Sequence, residues 1–282
     1  MTGNTLGWVI VAFVLYLLMM IAIGAFYAKG NNNSEDYFLG GRKLNGFVAA
    51  LSAQASDMSG WLLMGLPGAI YLTGVGGDGW IAIGLFIGTT LNWLFIATKL
   101  RRYTIRANNS VTLPTYFENR FHDEKKVLMT VSSITIVVFF LVYCASALSA
   151  GGQLFESVFG IDYHVALTIG ALVVLVYTFL GGFTAVCVTD FIQGMLMLVG
   201  ILAVPLFAYH FLTSGGTTLS AGLEASGADS ANFLNLMKNG DGSNNIISVI
   251  SGLGWGLGYF GMPHILVRFM AVRDEKEMTK SK

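Results

Sequence analysis

The stretch ALSAQASDMSGWLLMGLPGAIYLTG, residues 50–74, combines the features of a membrane span with those of a helix break. It is long and apolar, as a bilayer crossing of about 20 residues requires, but it contains Asp57, four glycines and Pro67. In a helix interior, glycine costs up to about 1 kcal/mol and proline about 3 kcal/mol. Backbone freed in this way is tolerated inside a membrane only where it lines a buried or wet cavity. The stretch therefore predicts a spanning helix that is broken beside a cavity, with unwound backbone in its glycine-rich segment.

A second stretch, SGLGWGLGYFGMPHIL at residues 251–266, repeats this pattern with five glycines and Pro263. Glycines four residues apart, such as Gly254 and Gly258, also mark tight helix packing, so one such segment alone fits either a site or a contact surface. Residues 256–261 match a dinucleotide fingerprint as well. That match is rejected because it lies in an apolar span with no strand before it.

The depths of the two segments favour a site. At 1.5 Å per residue, Asp57 lies about 18 Å inside a span that starts near Asn45. Residues 255–259 lie about 14 to 20 Å inside a span that starts near Ile246 on the opposite side. Both positions are close to the middle of a hydrocarbon core about 30 Å thick. Paired interrupted helices of opposite direction are typical of inverted-repeat transporters, which bind their solute at this depth.

The composition agrees with a membrane protein. The 282 residues are 54% hydrophobic and 11% charged, whereas soluble domains average about 25% charged. The formal net charge is +0, so no basic surface for nucleic acid is expected. Cys144 and Cys187 lie in apolar runs and predict neither a disulfide framework nor a zinc site. The expected class is an all-α polytopic membrane protein.

Charge-poor runs predict about seven spans, two of them broken, and the loops predict their direction. The runs cover about residues 6–27, 45–73, 80–97, 127–150, 166–180, 185–212 and 246–270. With these spans, 15 of the 16 Lys and Arg residues fall on one side of the membrane, and Lys238 falls on the other. By the positive-inside rule, the N-terminus is outside and the C-terminus is cytoplasmic, in a multi-pass protein of the cell membrane.

Two acids within the spans are candidate cation positions. An acid at mid-membrane costs at least about 2.5 kcal/mol on insertion scales, so Asp57 needs a partner or a function. It fits beside a hard cation bound by carbonyl oxygens of the break, or as a cap for amides that the break frees. Asp190, near the predicted cytoplasmic start of its span, fits a second cation position, a gate residue or an interfacial acid at a helix start.

Aromatic residues at the same depth are candidates for holding a solute. Trp255 and Tyr259 lie one helical turn apart, with Pro263 a further turn along the same face. They suit an apolar or cationic small molecule through contact area and cation–π attraction, although ordinary core packing remains the alternative. Tyr143 places a hydroxyl in an apolar span, where it needs a hydrogen-bond partner and could act in gating.

Five blocks of the chain resemble members of the sodium:solute symporter family. They are residues 39–69, 111–121, 139–157, 180–193 and 252–271, of which SDMSGWLLMGLPGA and GLGYFG-x-PHI-x-RF are long and specific. The resemblance implies a LeuT-like inverted-repeat fold, in which a leading helix precedes two inverted five-helix repeats. It also implies a division into a leading helix with its cytoplasmic loop (1–44), the first repeat (45–212), an outer loop (213–245), and the first broken helix of the second repeat with a cytoplasmic tail (246–282).

The resemblance further implies symport of L-proline with Na⁺ as the coupling ion, and no enzymatic activity. The backbone oxygens of Ala55 and Met58 match half of a sodium site, and Asp57 and Asp190 match sodium-linked acids. The positions that match proline-facing residues are Ser59, Gly60, Trp255, Tyr259 and Pro263. Tyr143 matches a ligand-sensitive aromatic residue and Arg42 a cytoplasmic-gate arginine. The family pattern departs at Gln54, where a small residue is expected, and at Met262, where glutamine is expected.

The sequence stops in AVRDEKEMTKSK, before the rest of the second repeat that the resemblance implies. We therefore expect half of a cation site and a need for a complementary C-terminal half. The alternatives are a sodium symporter for another small solute of the same family and a non-transporting membrane subunit or sensor. An intramembrane aspartyl protease is disfavoured because Asp57 and Asp190 lie at different depths.

Overall fold

The computed structural model describes residues 3–282 as helices joined by short loops. In chain order the helices are α1 (Gly3–Ala28), α2 (Ser34–Leu39), α3 (Gly46–Asp57), α4 (Trp61–Thr73), α5 (Val75–Arg106), α6 (Leu113–Phe121), α7 (Val127–Phe159), α8 (Tyr163–Ser214), α9 (Leu219–Ala225), α10 (Ser230–Phe233), α11 (Ile246–Gly261), α12 (Pro263–Ala271) and α13 (Glu275–Ser281). Within the described range there is no β-strand, and only two isolated bridges occur. The all-α prediction is confirmed.

Four of these helices, α1, α5, α7 and α8, are long and apolar enough to cross a bilayer, and α11 with α12 forms a fifth candidate that bends by 47°. Helix α8 has 52 residues, about 78 Å at 1.5 Å per residue, which exceeds one crossing. Gly182 interrupts it with φ 60° and ψ −160°, a conformation open mainly to glycine. The two parts agree with the fifth and sixth predicted spans, while the total of seven stays a prediction.

Both predicted broken helices are present, and their joints have nearly the same backbone. Helix α3 ends at Asp57, and Met58 is extended with φ −68° and ψ 101° before α4 begins. Helix α11 gives way to α12 at Met262, with φ −75° and ψ 107°. The expectation that the glycine-rich segments themselves unwind is wrong. Trp61–Gly65 remains helical as a wide π turn, and Gly256–Gly261 remains helical as a tight 3₁₀ turn.

Glycines bring α5 and α11 into backbone contact. A Cβ atom added at Gly84 would lie 2.2 Å from the carbonyl oxygen of Gly252, and one at Gly88 would lie 2.2 Å from that of Gly256. Gly254, in contrast, has nothing within 4 Å of such an atom. The close helix packing considered for Gly254 and Gly258 is therefore made by Gly252 and Gly256 instead.

This contact predicts unequal effects for two glycines of one helix. Gly256→Ala is expected to lower the free energy of unfolding by about 1–3 kcal/mol, since overpacking forces backbone shifts. Gly258→Ala meets no atom within 4 Å and is expected to leave stability unchanged or slightly higher. Thermal unfolding of the detergent-purified variants measures both. Equal effects would contradict the contact.

The buried core lies at the end of the bundle where α3 begins and α12 ends, which we call the inner end. The largest side chains excluded from solvent there include Leu39, Phe269, Met270 and Met278. A parallel bridge joins Leu44 to Val272. The apolar side chains along α1, α7 and α8 are largely exposed, as expected for surfaces that face lipid.

Helix α13 closes this inner end by binding the start of α3. The amide of Gly46 donates to the Glu277 carboxylate at 2.9 Å, and Ser281 Oγ donates to the carbonyl of Gly46 at 3.0 Å. Lys280 Nζ donates to Glu277 at 2.7 Å. A side chain at Gly46 would collide with α13, because its Cβ would lie 2.3 Å from the Glu277 carbonyl oxygen.

The Glu277 contacts predict acid lability of the inner end. The Lys280 hydrogen bond, and next that of the Gly46 amide, lower the pKa of Glu277. An acid with a depressed pKa adds stability above its unfolded pKa of about 4.3 and loses that contribution as the pH falls below this value. We expect the midpoint temperature of thermal unfolding to decrease as the pH is lowered from about 6 to about 3.5. Glu277→Gln should be less stable at pH 6 and less sensitive to acid, and an equal slope in both proteins would refute this.

Candidate functional site

The two helix breaks meet at Asp57 and Tyr259. The Tyr259 hydroxyl donates to Asp57 Oδ2, and both residues are buried. Asn92 on α5 donates from Nδ2 to the carbonyl of Tyr259 at 2.8 Å, which holds the 3₁₀ turn in place. The structure thus brings together an acid of the first broken helix and an aromatic residue of the second, as their predicted depths require.

The break leaves backbone oxygens beside this acid. Within residues 3–282, no hydrogen bond reaches the carbonyl oxygens of Ala55 or Met58, because α3 ends at Asp57 and the backbone of Met58 is extended. Carbonyl oxygens suit a hard cation such as Na⁺. No cluster of three His, Cys, Asp or Glu side chains occurs in the described part of the chain. A cation here would therefore depend on the backbone and the single charge of Asp57.

The residues predicted to face a solute divide between two cavities. One, of about 440 Å³, is lined by Ser59, Gly60 and Tyr143 together with Trp61. The other, of about 290 Å³, is lined by Tyr259 and also by Met58, Gln54 and several apolar side chains of α5. Met58 and Ser59, which are adjacent at the first break, therefore line different cavities.

Trp255 lies beside the first cavity because it contacts Trp61, which lines that cavity and was not predicted as a site residue. It stacks on Trp61 with ring centroids 5.7 Å apart and planes 14° apart. Pro263 starts α12 and lines neither cavity. Trp61 directly follows Gly60, the first glycine of the segment predicted to unwind, and this position was the available signal.

Tyr143 has the hydrogen-bond partner that its predicted depth requires. Its hydroxyl donates to the carbonyl of Ser56 at 3.3 Å, which joins α7 to the first break. Its ring lies flat against His264, with centroids 5.6 Å apart and planes 23° apart. Tyr143 therefore contacts residues of both broken helices.

Asp190 lies in a separate buried cluster. Its Oδ2 accepts from Arg268 Nη2 at 2.8 Å and from Ser52 Oγ at 2.7 Å, and Arg268 Nε donates to Ser52 at 2.9 Å. Asp190 and Asp57 thus do not form the facing pair that an aspartyl protease needs. The predicted charge distribution places Arg268 among the basic residues on the cytoplasmic side. Its place in the apolar α12, in a chain with two membrane acids, was the signal that it pairs with one of them.

Arg42 ties the inner end together. In a left-handed backbone conformation with φ 53°, it donates to the carbonyls of Met270 at 2.9 Å and Ser110 at 2.8 Å. Burial, and next the charge of Arg101, lower its pKa to about 10, which leaves it protonated at neutral pH. The side chain thereby joins α12 to the segment that follows α5.

A family model described as the sodium:solute symporter family matches residues 37–282. The chain therefore belongs to the sodium:solute symporter family, and the resemblance read from its sequence blocks is confirmed. Members of this family are transporters and not enzymes.

Curated relatives narrow the comparison to proline symporters. The sodium/proline symporter of Salmonella typhimurium is 48% identical over 262 residues, which are 93% of this chain and 50% of that protein. The high-affinity proline transporter PutP of Bacillus subtilis is 47% identical over 93% of this chain and 54% of that protein. A sodium/proline symporter of Staphylococcus aureus is 44% identical over 96% of this chain. The chain spans about half the length of these relatives.

A solved structure supports the fold. The substrate-bound outward-open state of a Na⁺-coupled sialic acid symporter superposes with a TM-score of 0.75 over 94% of this chain and 54% of that chain, at 20% identity. At this identity the likeness concerns the fold alone. It confirms the expected class of sodium-symporter fold for the helices described above.

Proposed function

We propose that this chain carries the first broken helix pair of a Na⁺-coupled L-proline symporter that works by alternating access. The observation that carries the proposal is the junction of the two breaks, where Asp57, unpaired carbonyls and Tyr259 lie together. The identity of the curated relatives, which are named as sodium/proline symporters, points to the same solute and ion.

The sodium side of the proposed site is the first break. The carbonyl oxygens of Ala55 and Met58 contribute ligands, and Asp57 contributes a negative charge that balances the ion. Asp190 is proposed as a further sodium-linked acid. Since Arg268 occupies its Oδ2, a cation that approaches Asp190 competes with the guanidinium group.

The solute side is the aromatic wall around the breaks. Ser59 and Gly60 offer backbone and hydroxyl groups, while Tyr143 and Trp255 offer apolar area to the proline ring. Tyr259 links the solute to the sodium side through Asp57, and Pro263 fixes the start of α12. We assign Arg42 to the gate at the inner end, which we place in the cytoplasm, with the N-terminus outside the cell membrane.

The remaining ligands are proposed to come from outside this chain's length. Two carbonyls and one nearby acid do not complete the oxygen shell of a hard cation. The chain spans about half of the relatives, so we propose that transport requires a complementary C-terminal half. Coupling then follows if Na⁺ and proline both bind one conformation better than the other.

Uptake of labelled L-proline into proteoliposomes tests the proposal. The chain is assayed alone and as a fusion to the second half of the Salmonella typhimurium relative, with and without an inward Na⁺ gradient. We expect gradient-driven accumulation by the fusion, competition by unlabelled proline, and none by the chain alone. Uptake of another amino acid in preference to proline would support a different solute of the family. No gradient-driven uptake of any of them would reject symport.

A further inference from the structure

His264 stands out among the buried polar side chains of the described residues. It follows Pro263 in α12, and its Nε2 lies 4.0 Å from Asp57 Oδ1, which is beyond hydrogen-bond length. Within residues 3–282, neither ring nitrogen has a hydrogen-bond partner although both atoms are buried. Buried polar groups are nearly always paired, so an unpaired histidine requires an explanation.

The acid beside it has one occupied and one available oxygen. Asp57 Oδ2 accepts from Tyr259, while Oδ1 is the oxygen that faces His264. A neutral imidazole with its proton on Nε2 would be a donor for that oxygen. The donor and the acceptor thus face each other, but they are about 1 Å too far apart for a hydrogen bond.

Aromatic contacts hold the ring in this orientation. His264 stacks on Tyr143 and meets the edge of Phe140 with centroids 5.4 Å apart. Its own carbonyl accepts from Arg268, which fixes the backbone at the start of α12. The ring can therefore approach Asp57 only if the start of α12 moves with it.

We propose that His264 is a positioning residue for sodium coupling, an inference that rests on the proposed function. When Na⁺ binds at the first break, α12 moves about 1 Å towards α3, and His264 Nε2–H donates to Asp57 Oδ1. Both carboxylate oxygens are then held, so the charge stays beside the carbonyls. The same movement carries the stacked Tyr143 and Pro263, which transmits sodium binding to the solute side.

Two substitutions separate positioning from packing in the fusion protein. His264→Phe keeps the aromatic stacking and removes the donor, whereas His264→Gln keeps an N–H donor and removes the stacking. We expect His264→Phe to raise the Na⁺ concentration for half-maximal proline uptake about tenfold, as for loss of a hydrogen bond to a charged group. His264→Gln should restore most of the sodium affinity. The exposed His210, replaced by Phe, is the matched control and should change nothing.

A spectroscopic readout tests the contact without transport. In nanodiscs holding the fusion labelled with ¹⁵N-histidine, Na⁺ should shift one Nε2 resonance that is absent in His264→Phe, while K⁺ should not. Three results would overturn this inference but not the proposed function. The first is an unchanged sodium affinity of uptake in His264→Phe, and the second is a higher sodium affinity in His264→Phe than in His264→Gln. The third is the absence of a Na⁺-dependent shift. A wild-type fusion without any sodium dependence would overturn the proposed function and this inference with it.

Discussion

Replacing Asp57 by Asn is expected to lower Na⁺-driven proline uptake by the fusion protein about a hundredfold. The substitution keeps the side-chain shape and the acceptor for Tyr259 but removes the charge beside the Ala55 and Met58 carbonyls. An opposite charge about 5 Å away is worth about 3 kcal/mol at an effective dielectric constant near 20, which is roughly two decades in affinity. The measurement is the initial rate of labelled proline uptake across a series of Na⁺ concentrations.

The control for Asp57→Asn is Asp241→Asn, an exposed acid of the loop before α11. It removes the same charge far from the breaks and should leave uptake unchanged. If Asp57→Asn kept the wild-type dependence on Na⁺, Asp57 would have only a structural role, and the sodium side of the site would have to lie elsewhere.

Arg268→Met is expected to have the largest effect on stability. Its guanidinium and the Asp190 carboxylate are both buried and 2.8 Å apart, so the substitution leaves an uncompensated charge inside the bundle. Breaking a buried pair by removing one partner costs about 3–5 kcal/mol. We expect the free energy of unfolding of the chain in mixed micelles, measured by denaturing-detergent titration, to fall by this amount.

A double-variant cycle distinguishes the ion pair from lost packing. Arg268→Met combined with Asp190→Leu removes both charges and should recover most of the loss, because an apolar replacement of a buried pair is often neutral. Arg102→Met breaks an exposed pair with Glu275 and should cost no more than about 1 kcal/mol. Arg268→Met with an effect as small as that of Arg102→Met would contradict the buried pair.

The sequence predicted the two broken helices because glycine and proline act locally on the backbone. It did not predict where each break falls. Four glycines alternate along residues 252–258, so Gly252 with Gly256 and Gly254 with Gly258 both have the four-residue spacing. Only the partner helix, through Gly84 and Gly88, selects the first pair and keeps that segment helical. The break then falls at Met262, just before the proline.

The sequence also could not predict which residues far apart in the chain contact each other. Asp57 and Asp190 were predictable as candidates because a membrane acid is costly anywhere. Their partners Tyr259 and Arg268 lie 202 and 78 residues away, and no local spacing links them. Trp61 adjoins the first break in the sequence, but its stacking on Trp255 is a tertiary contact that no local spacing predicts.

Equilibrium binding of labelled proline at varied Na⁺ tests the central claim, which is that the two breaks form one coupled site. By linkage, an ion that raises solute affinity is itself bound more tightly when the solute is present. In the fusion protein, we predict that Na⁺ in place of K⁺ raises proline affinity at least about tenfold, and that Asp57→Asn abolishes this increase. Equal proline affinity in Na⁺ and K⁺ would mean that the two breaks do not form one coupled site.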